Sequence, residues 1–227
     1  MQIIGLTGSI AMGKSTVAGM LRRLRIPVFD SDAAVHQMFQ AGGPGVAVVS
    51  ALFPEVIVAG AVDRARLGAL VLGPDPASQA RRTALEAGIH PLVRQAQSRF
   101  LRLQARRGMP LVVLDIPLLF ETGAENRCNR VLVVCAPRFL QTQRALRRPG
   151  MSLAKLQAIR AAQTPDAVKR RKADIVLPSG IGMGFTFRRL RRALAFLRSA
   201  PPTNRIPNRI VSRLGQPRFR TPLHARA

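Results

Sequence analysis

Residues 8–15 spell Gly8-Ser9-Ile10-Ala11-Met12-Gly13-Lys14-Ser15, a full G-x-x-x-x-G-K-[ST] phosphate loop. The apolar run Ile3-Ile4-Gly5-Leu6 precedes it, and the helix-compatible run Thr16-Val17-Ala18-Gly19-Met20-Leu21 follows. This strand–loop–helix setting distinguishes a working loop from a glycine-rich turn that matches by chance. In it, backbone N–H groups wrap a phosphate and the helix N-terminus adds positive potential. Gly8, Ser9, Ile10, Ala11, Met12, Gly13, Lys14, Ser15 and Thr16 are therefore the expected nucleotide-binding residues. Lys14 would reach the β- and γ-phosphate oxygens, and the Ser15 hydroxyl would sit on Mg²⁺.

A phosphate loop constrains the rest of the chain to a parallel α/β sheet, and the sequence supplies one. Five short apolar segments read as strands: Gln2–Leu6, Pro27–Asp30, Leu111–Asp115, Arg130–Cys135 and Ala173–Leu177. They are nearly continuous in apolar character, as expected of parallel strands covered on both faces. Helical patterns lie between them, which argues for βαβ crossovers. The predicted fold is a five-stranded parallel sheet of the phosphate-loop NTPase type with helices on both faces. Ligands in such sheets bind at the carboxyl ends of the strands; Gly8, Asp30, Asp115 and Cys135 lie at or just past such ends. Two stretches are too long for plain crossovers. Residues about 34–108 suggest a helical substrate-binding insertion, with helical patterns at Ala33–Phe39 and Leu92–Arg106. Residues about 137–170 suggest a basic helical pair carrying Arg144, Arg147, Arg148, Lys155, Arg160 and Gln163, which reads equally as a lid or as a solvated helix face. The nucleotide core would then comprise about 1–33, 109–136 and 171–198.

Composition narrows the partners. A formal net charge of +25 favours polyanionic ligands without choosing among nucleotides, phosphates and nucleic acid. No acid follows Asp174, so much of the excess belongs to the C-terminal end. Residues 199–227 form a Pro/Arg/Asn segment with six arginines and no helical or strand period, read as a disordered basic tail. The tail is a candidate for weak contact with nucleic acid or a membrane surface, or a solvated extension without function. Trp and Tyr are absent, so stacking platforms for single-stranded nucleic acid are nearly missing. No apolar run of membrane-spanning length and no signal-like N-terminus is seen, and a cytoplasmic location is expected. Cys128 and Cys135 are too few for a disulfide framework or a four-ligand zinc site and read as buried thiols.

Several acidic residues fit phosphoryl transfer. Val28-Phe29-Asp30-Ser31-Asp32 places two carboxylates at the end of the second strand. Asp32 is the candidate general base, and Asp30 would assist with the metal or orient the acceptor. The competing reading is that Asp32 or Ser31 caps the helix starting near Ala33. Leu111-Val112-Val113-Leu114-Asp115 ends a buried strand in an acid, suiting Asp115 to Mg²⁺. Pro117-Leu118-Leu119-Phe120-Glu121 follows as an apolar loop with a terminal carboxylate, for which core packing is the alternative. His90-Pro91 is placed before a helix beginning near Leu92; Arg94, one turn on, would join His90 in meeting a phosphate.

Taken in order, these motifs resemble the dephospho-CoA kinase family over about residues 2–198. The resemblance rests on Gly5-Leu6-Thr7-Gly8 leading into the loop, Asp30 and Asp32, Gly60-Ala61-Val62-Asp63-Arg64-Ala65-Arg66-Leu67, and Leu85-Glu86 with His90-Pro91-Leu92-Val93-Arg94. It continues through Pro117-Leu118-Leu119-Phe120-Glu121, Gln143-Arg144, Gln163, Lys169-Arg170 and Ala173-Asp174. It implies transfer of the ATP γ-phosphate to the ribose 3′-hydroxyl of dephospho-CoA, with ATP and Mg²⁺ required. It further implies Asp32 as the base, and Lys14 and Ser15 on ATP and Mg²⁺, with Arg144 and Arg148 as lid contacts to ATP. His90, Arg94, Pro117, Leu118 and Glu121 join Asp32 as substrate-binding residues. The family's loop usually reads G-G-I-G-S-G-K-S, whereas Ser9, Ala11 and Met12 stand here; Met12 would put a bulky side chain beside the phosphate path. An extra residue separates Glu86 from His90. The usual R-I-A-x-Q of the lid reads Ile159-Arg160-Ala161-Ala162-Gln163, with the arginine displaced by one. Two alternatives stand beside this reading: a nucleoside or nucleotide kinase of similar fold, and a basic nucleic-acid-binding protein with a vestigial loop. The kinase reading needs small molecules only, neither membrane nor nucleic acid, in a monomer or small homo-oligomer.

Overall fold

The expected strands form with small shifts at their ends. In the computed structural model, which describes residues 1–73 and 75–199, the chain runs β1 (Gln2–Thr7), α1 (Lys14–Arg23), β2 (Val28–Asp30), α2 (Ser31–Met38) and α3 (Pro44–Leu52). Next come the short pair β3 (Ile57–Val58) and β4 (Ala61–Val62), then α4 (Arg64–Val71), α5 (Pro76–Arg106) and β5 (Leu111–Asp115). The remainder is β6 (Arg130–Cys135), α6 (Arg138–Leu146), α7 (Leu153–Ala162), α8 (Asp166–Lys172), β7 (Ile175–Pro178) and α9 (Met183–Ser199). The main sheet has five strands in the order β2-β5-β1-β6-β7 and is parallel. The basic tail from residue 200 onward lies outside the described residues.

The chain divides into two compact units. One holds Met1–Ile3 and Ala18–Ile116; the other holds Ile4–Val17 and the described residues from Pro117 onward. In the first unit, β2 and β5 pair in parallel, with Asp30 opposite Asp115. Its helices close over an apolar cluster of Met38, Phe39, Val49, Phe53, Val56, Val62, Leu67, Val71 and Ile89. The β3–β4 hairpin was not expected from the sequence. Its two-residue turn is Ala59-Gly60, both at positive φ (48° and 75°), the conformation that two-residue hairpin loops favour. Asp63, just after it, caps α4 by accepting from the amides of Ala65 (2.9 Å) and Arg66 (3.1 Å).

The helix predicted to begin near Leu92 is instead the middle of α5, which runs unbroken for 31 residues through Pro91. Proline deprives the Ala87 carbonyl of its amide partner, but α5 packs against α2, α3 and α4, and Ile89 is buried in the shared cluster. Packing of one face of α5 against these helices outweighs one local defect. His90-Pro91 is therefore mid-helix, and the spacing between Glu86 and His90 joins no loop to a helix.

In the second unit, β6 pairs in parallel with both Ile4–Thr7 and β7. Asp174 clips the start of β7 to β6: its carboxylate accepts from the Val131 amide (2.7 Å) and its own amide donates to the Val131 carbonyl (3.0 Å). The expected helical pair between β6 and β7 is three helices, α6, α7 and α8. Cys128 and Cys135 are buried and unpaired with each other. Among the described residues, no helix is long and apolar enough to cross a membrane.

Candidate active site

The phosphate loop links β1 to α1. Gly8 is required by close approach: a Cβ there would stand 2.7 Å from the Val134 carbonyl oxygen of β6. Gly13 is required by conformation, at φ +87°. Ala11 also adopts a left-handed conformation, φ +59°, which costs an L-residue about 1–2 kcal/mol. Its methyl is buried with Ala145 and Leu156 of α6 and α7. Met12 does not lie over the phosphate path as the sequence suggests. It is 3 % exposed, and its Sδ accepts from the Ala136 amide at 3.0 Å. Its bulk thus goes into the interior. Lys14, Ser15 and Thr16 open α1, and the first turn of a helix carries amides without i−4 carbonyl partners and a positive dipole end, which favour an anion.

Arg144 on α6 lies beside this loop. Its guanidinium donates to the Ser179 hydroxyl (3.2 Å) and the Ser179 carbonyl (2.9 Å), and its Nη1 sits 3.8 Å from where a Gly13 Cβ would stand. Ser179 in turn donates to the Met12 carbonyl at 2.6 Å, so one hydroxyl ties the arginine to the loop. Arg148 is exposed, in the turn after α6. The displaced Arg160 has a structural use: it donates to Gln141 Oε1 (3.0 and 2.7 Å) and to Thr142 Oγ1 (2.8 Å), bracing α7 against α6. Gln141 and Ser179 escaped the sequence reading. The only mark of Gln141 is that it is a polar residue buried on α6, in line with Ala145 one turn on.

Glu121, expected to bind substrate, is occupied within the second unit. Its Oε1 pairs with Lys169 Nζ at 2.9 Å and accepts from the Thr164 amide at 2.8 Å. Lys169 is fully buried. Burial opposes ionisation of Glu121, but the hydrogen bonds from Lys169 and Thr164 outweigh it and hold the carboxyl below its usual range. Asp166 shifts the other way: burial raises it, with Arg170 and Lys169 only partly opposing. Burial likewise pushes the Cys135 thiol up, which makes it a poor nucleophile. Of the neighbouring expected residues, Pro117 accepts the Thr7 hydroxyl at its carbonyl (2.9 Å), and Leu118 is exposed.

In the first unit, the helix cap is Asp30, where the sequence suggested Asp32 or Ser31. Its Oδ1 accepts from the Ala33 amide at 3.0 Å and its Oδ2 pairs with Arg22 at 3.2 Å. Ser31 is buried and accepts from Gln97 at 3.4 Å. Asp32, in the first turn of α2, is exposed and takes no part in the cap. Asp115 is 2 % exposed at the end of β5. His90 is half-buried and Arg94 exposed, both on α5. No group of three or more His, Cys, Asp or Glu placed to hold a metal occurs among the described residues.

A family model for dephospho-CoA kinase matches residues 2–181. The chain is 52% identical over 198 residues to a dephospho-CoA kinase of Rhodospirillum rubrum, covering 87% of this chain and 92% of that one. It is 55% identical over 202 residues to one from Paramagnetospirillum magneticum, covering 89% and 93%. Among solved structures, TT1252 from Thermus thermophilus matches with a TM-score of 0.73 at 39% identity, over 86% of this chain and 96% of that one. A dephospho-CoA kinase from Campylobacter jejuni shares the fold with a TM-score of 0.60 at 20% identity, over 86% and 97%. With the family model spanning most of the chain and relatives above half identity, the chain belongs to the dephospho-CoA kinase family.

Proposed function

We propose that the chain catalyses the final step of coenzyme A synthesis, transferring the γ-phosphoryl group of ATP to the ribose 3′-hydroxyl of dephospho-CoA and releasing coenzyme A and ADP. The observation that carries this is the phosphate loop: glycine is required at Gly8 and Gly13, and Arg144 stands beside the second of them. Phosphoryl transfer asks mainly for positioning and charge stabilisation. Amides of the loop and the start of α1 bind the phosphates, Lys14 stabilises the β- and γ-oxygens, and Arg144 adds positive charge at the loop. Asp32 accepts the proton of the attacking hydroxyl; the capping role falls to Asp30, which leaves the Asp32 carboxylate available. Arg148 contacts ATP through movement of the segment about 137–170, which acts as the lid. The helical region about 34–108 binds the coenzyme precursor, with His90 and Arg94 meeting phosphate and Pro117, Leu118 and Glu121 shaping the substrate side.

Mg²⁺ fits the donors present. Ser15 offers a hydroxyl and Asp115 a carboxylate, both hard oxygen donors, and Mg²⁺ in such enzymes takes few protein ligands and completes its shell with phosphate and water. When bound, the ion neutralises charge on the phosphates. The reaction needs neither membrane nor nucleic acid, and the cytoplasm is the compartment assigned to it, in a monomer or small homo-oligomer.

The test is ADP release with dephospho-CoA against a panel of nucleosides, nucleotides and other alcohols. Turnover confined to dephospho-CoA is expected; equal or faster turnover with a nucleoside would overturn the assignment.

A further inference from the structure

We infer that Gln141 and Gln163 are positioning residues for the phosphate loop, holding the two peptide units on either side of Ile10 so that Ala11 keeps its left-handed turn. The Ile10 amide donates to Gln163 Oε1 at 3.1 Å, and Gln141 Nε2 donates to the Ile10 carbonyl at 3.0 Å. Each glutamine is itself fixed. Arg160 grips Gln141 Oε1 with two donors, at 3.0 and 2.7 Å. Gln163 ends α7, and the next residue, Thr164, is tied by its amide to Glu121, the partner of buried Lys169.

Ala11 follows the clamped residue at φ +59°. An L-residue leaves this region unless its surroundings over-determine it. One hydrogen bond on each of the two peptide units flanking Ile10, and the burial of the Ala11 methyl with Ala145 and Leu156, supply that constraint. The Ile10 amide is committed to Gln163, so phosphate binding falls to amides nearer the start of α1, and the clamp acts on nucleotide affinity without touching the nucleotide. The segment expected to move as a lid is thereby also a brace for the loop it covers.

This rests on the loop being the ATP site. The experiment measures KM for ATP, KM for dephospho-CoA and kcat in Q163A, Q141M, A11G and the A11G/Q163A pair, with a nucleotide-binding titration of each. Q163A is expected to raise KM for ATP about tenfold, the worth of one hydrogen bond to a partly buried amide, with KM for dephospho-CoA changed less than about twofold. In the A11G background, the added effect of Q163A on KM for ATP is expected to shrink to about twofold, because glycine adopts the left-handed turn without a penalty. Q141M, acting on the adjacent Ile10–Ala11 peptide unit, carries the test if Q163A folds poorly. Unchanged KM for ATP in both glutamine variants overturns the clamp, as does a Q163A effect equally large with and without A11G. A wild-type chain that binds no ATP would instead overturn the assignment of the site.

Discussion

The helices of the first unit and the phosphate loop of the second are held by different means. The first relies on an apolar cluster built from α2, α3, α4, α5 and the β3–β4 hairpin. The second surrounds its phosphate loop with directed polar ties: Ser179 on Met12, Gln163 and Gln141 on Ile10, Arg160 on Gln141, and Glu121 on Lys169. Apolar packing is tolerant of which side chain fills a volume, whereas hydrogen bonds fix distance and direction together. A segment that must present backbone amides to a phosphate needs the second kind of support; a helical cover needs only the first.

The sharpest way to break this contrast is Lys169→Met. It strands the Glu121 carboxylate in a largely buried setting and should cost about 3–5 kcal/mol in chemical denaturation. The double variant with Glu121→Gln should recover most of that loss, because the charge goes with its partner. Leu67→Ala, in the apolar cluster of the first unit, should cost about 2–5 kcal/mol, and restoring volume with Leu67→Met should suffice to recover most of it. If both losses responded to volume alone, the two regions would not differ in kind.

Acid titration separates them further. The folded-state pKa of Glu121 lies below its unfolded value, so its contribution to stability is present above the usual glutamate range and is lost as pH falls through the folded value. Asp166 has a raised folded-state pKa and works in the opposite sense, its contribution fading as pH rises. Denaturation midpoints measured from pH 7 downward should fall less steeply in Glu121→Gln than in the wild type, and Asp166→Asn should gain slightly at neutral pH. The smallest expected effect is at a helix end in the first unit. Asp63→Ala removes the cap of α4 and should cost about 1 kcal/mol in the same assay.

Legibility from sequence follows the same divide. Leu111–Asp115 and Arg130–Cys135 are read to the residue, because buried parallel strands are continuous apolar runs with sharp polar ends. The phosphate loop is legible because its chemistry specifies glycine and lysine at fixed spacing. The course of α5 through Pro91 is not, since the local penalty of proline is visible in the sequence and the burial that overrides it is not. Met12 is misplaced for a similar reason: its length is readable, while the interior space beside Ala136 that receives it is not. The role of Asp30 as the cap is within one or two residues of what composition suggests, where Asp and Ser compete for the same task. Gln141 and Ser179 have no periodic signature, and Gln163, though named by the lid motif, gives no sign of its tie to Ile10, because contacts between residues 131 to 167 positions apart leave no trace in local pattern.

The complete burial of the Lys169 amine also makes it a reporter. Acylating reagents that modify the half-buried Lys14 and the exposed Lys155 and Lys172 have no route to Lys169 while α8 is seated. The rate at which that one amine becomes labelled, read by mass spectrometry, would therefore time the excursions of this segment in the working enzyme.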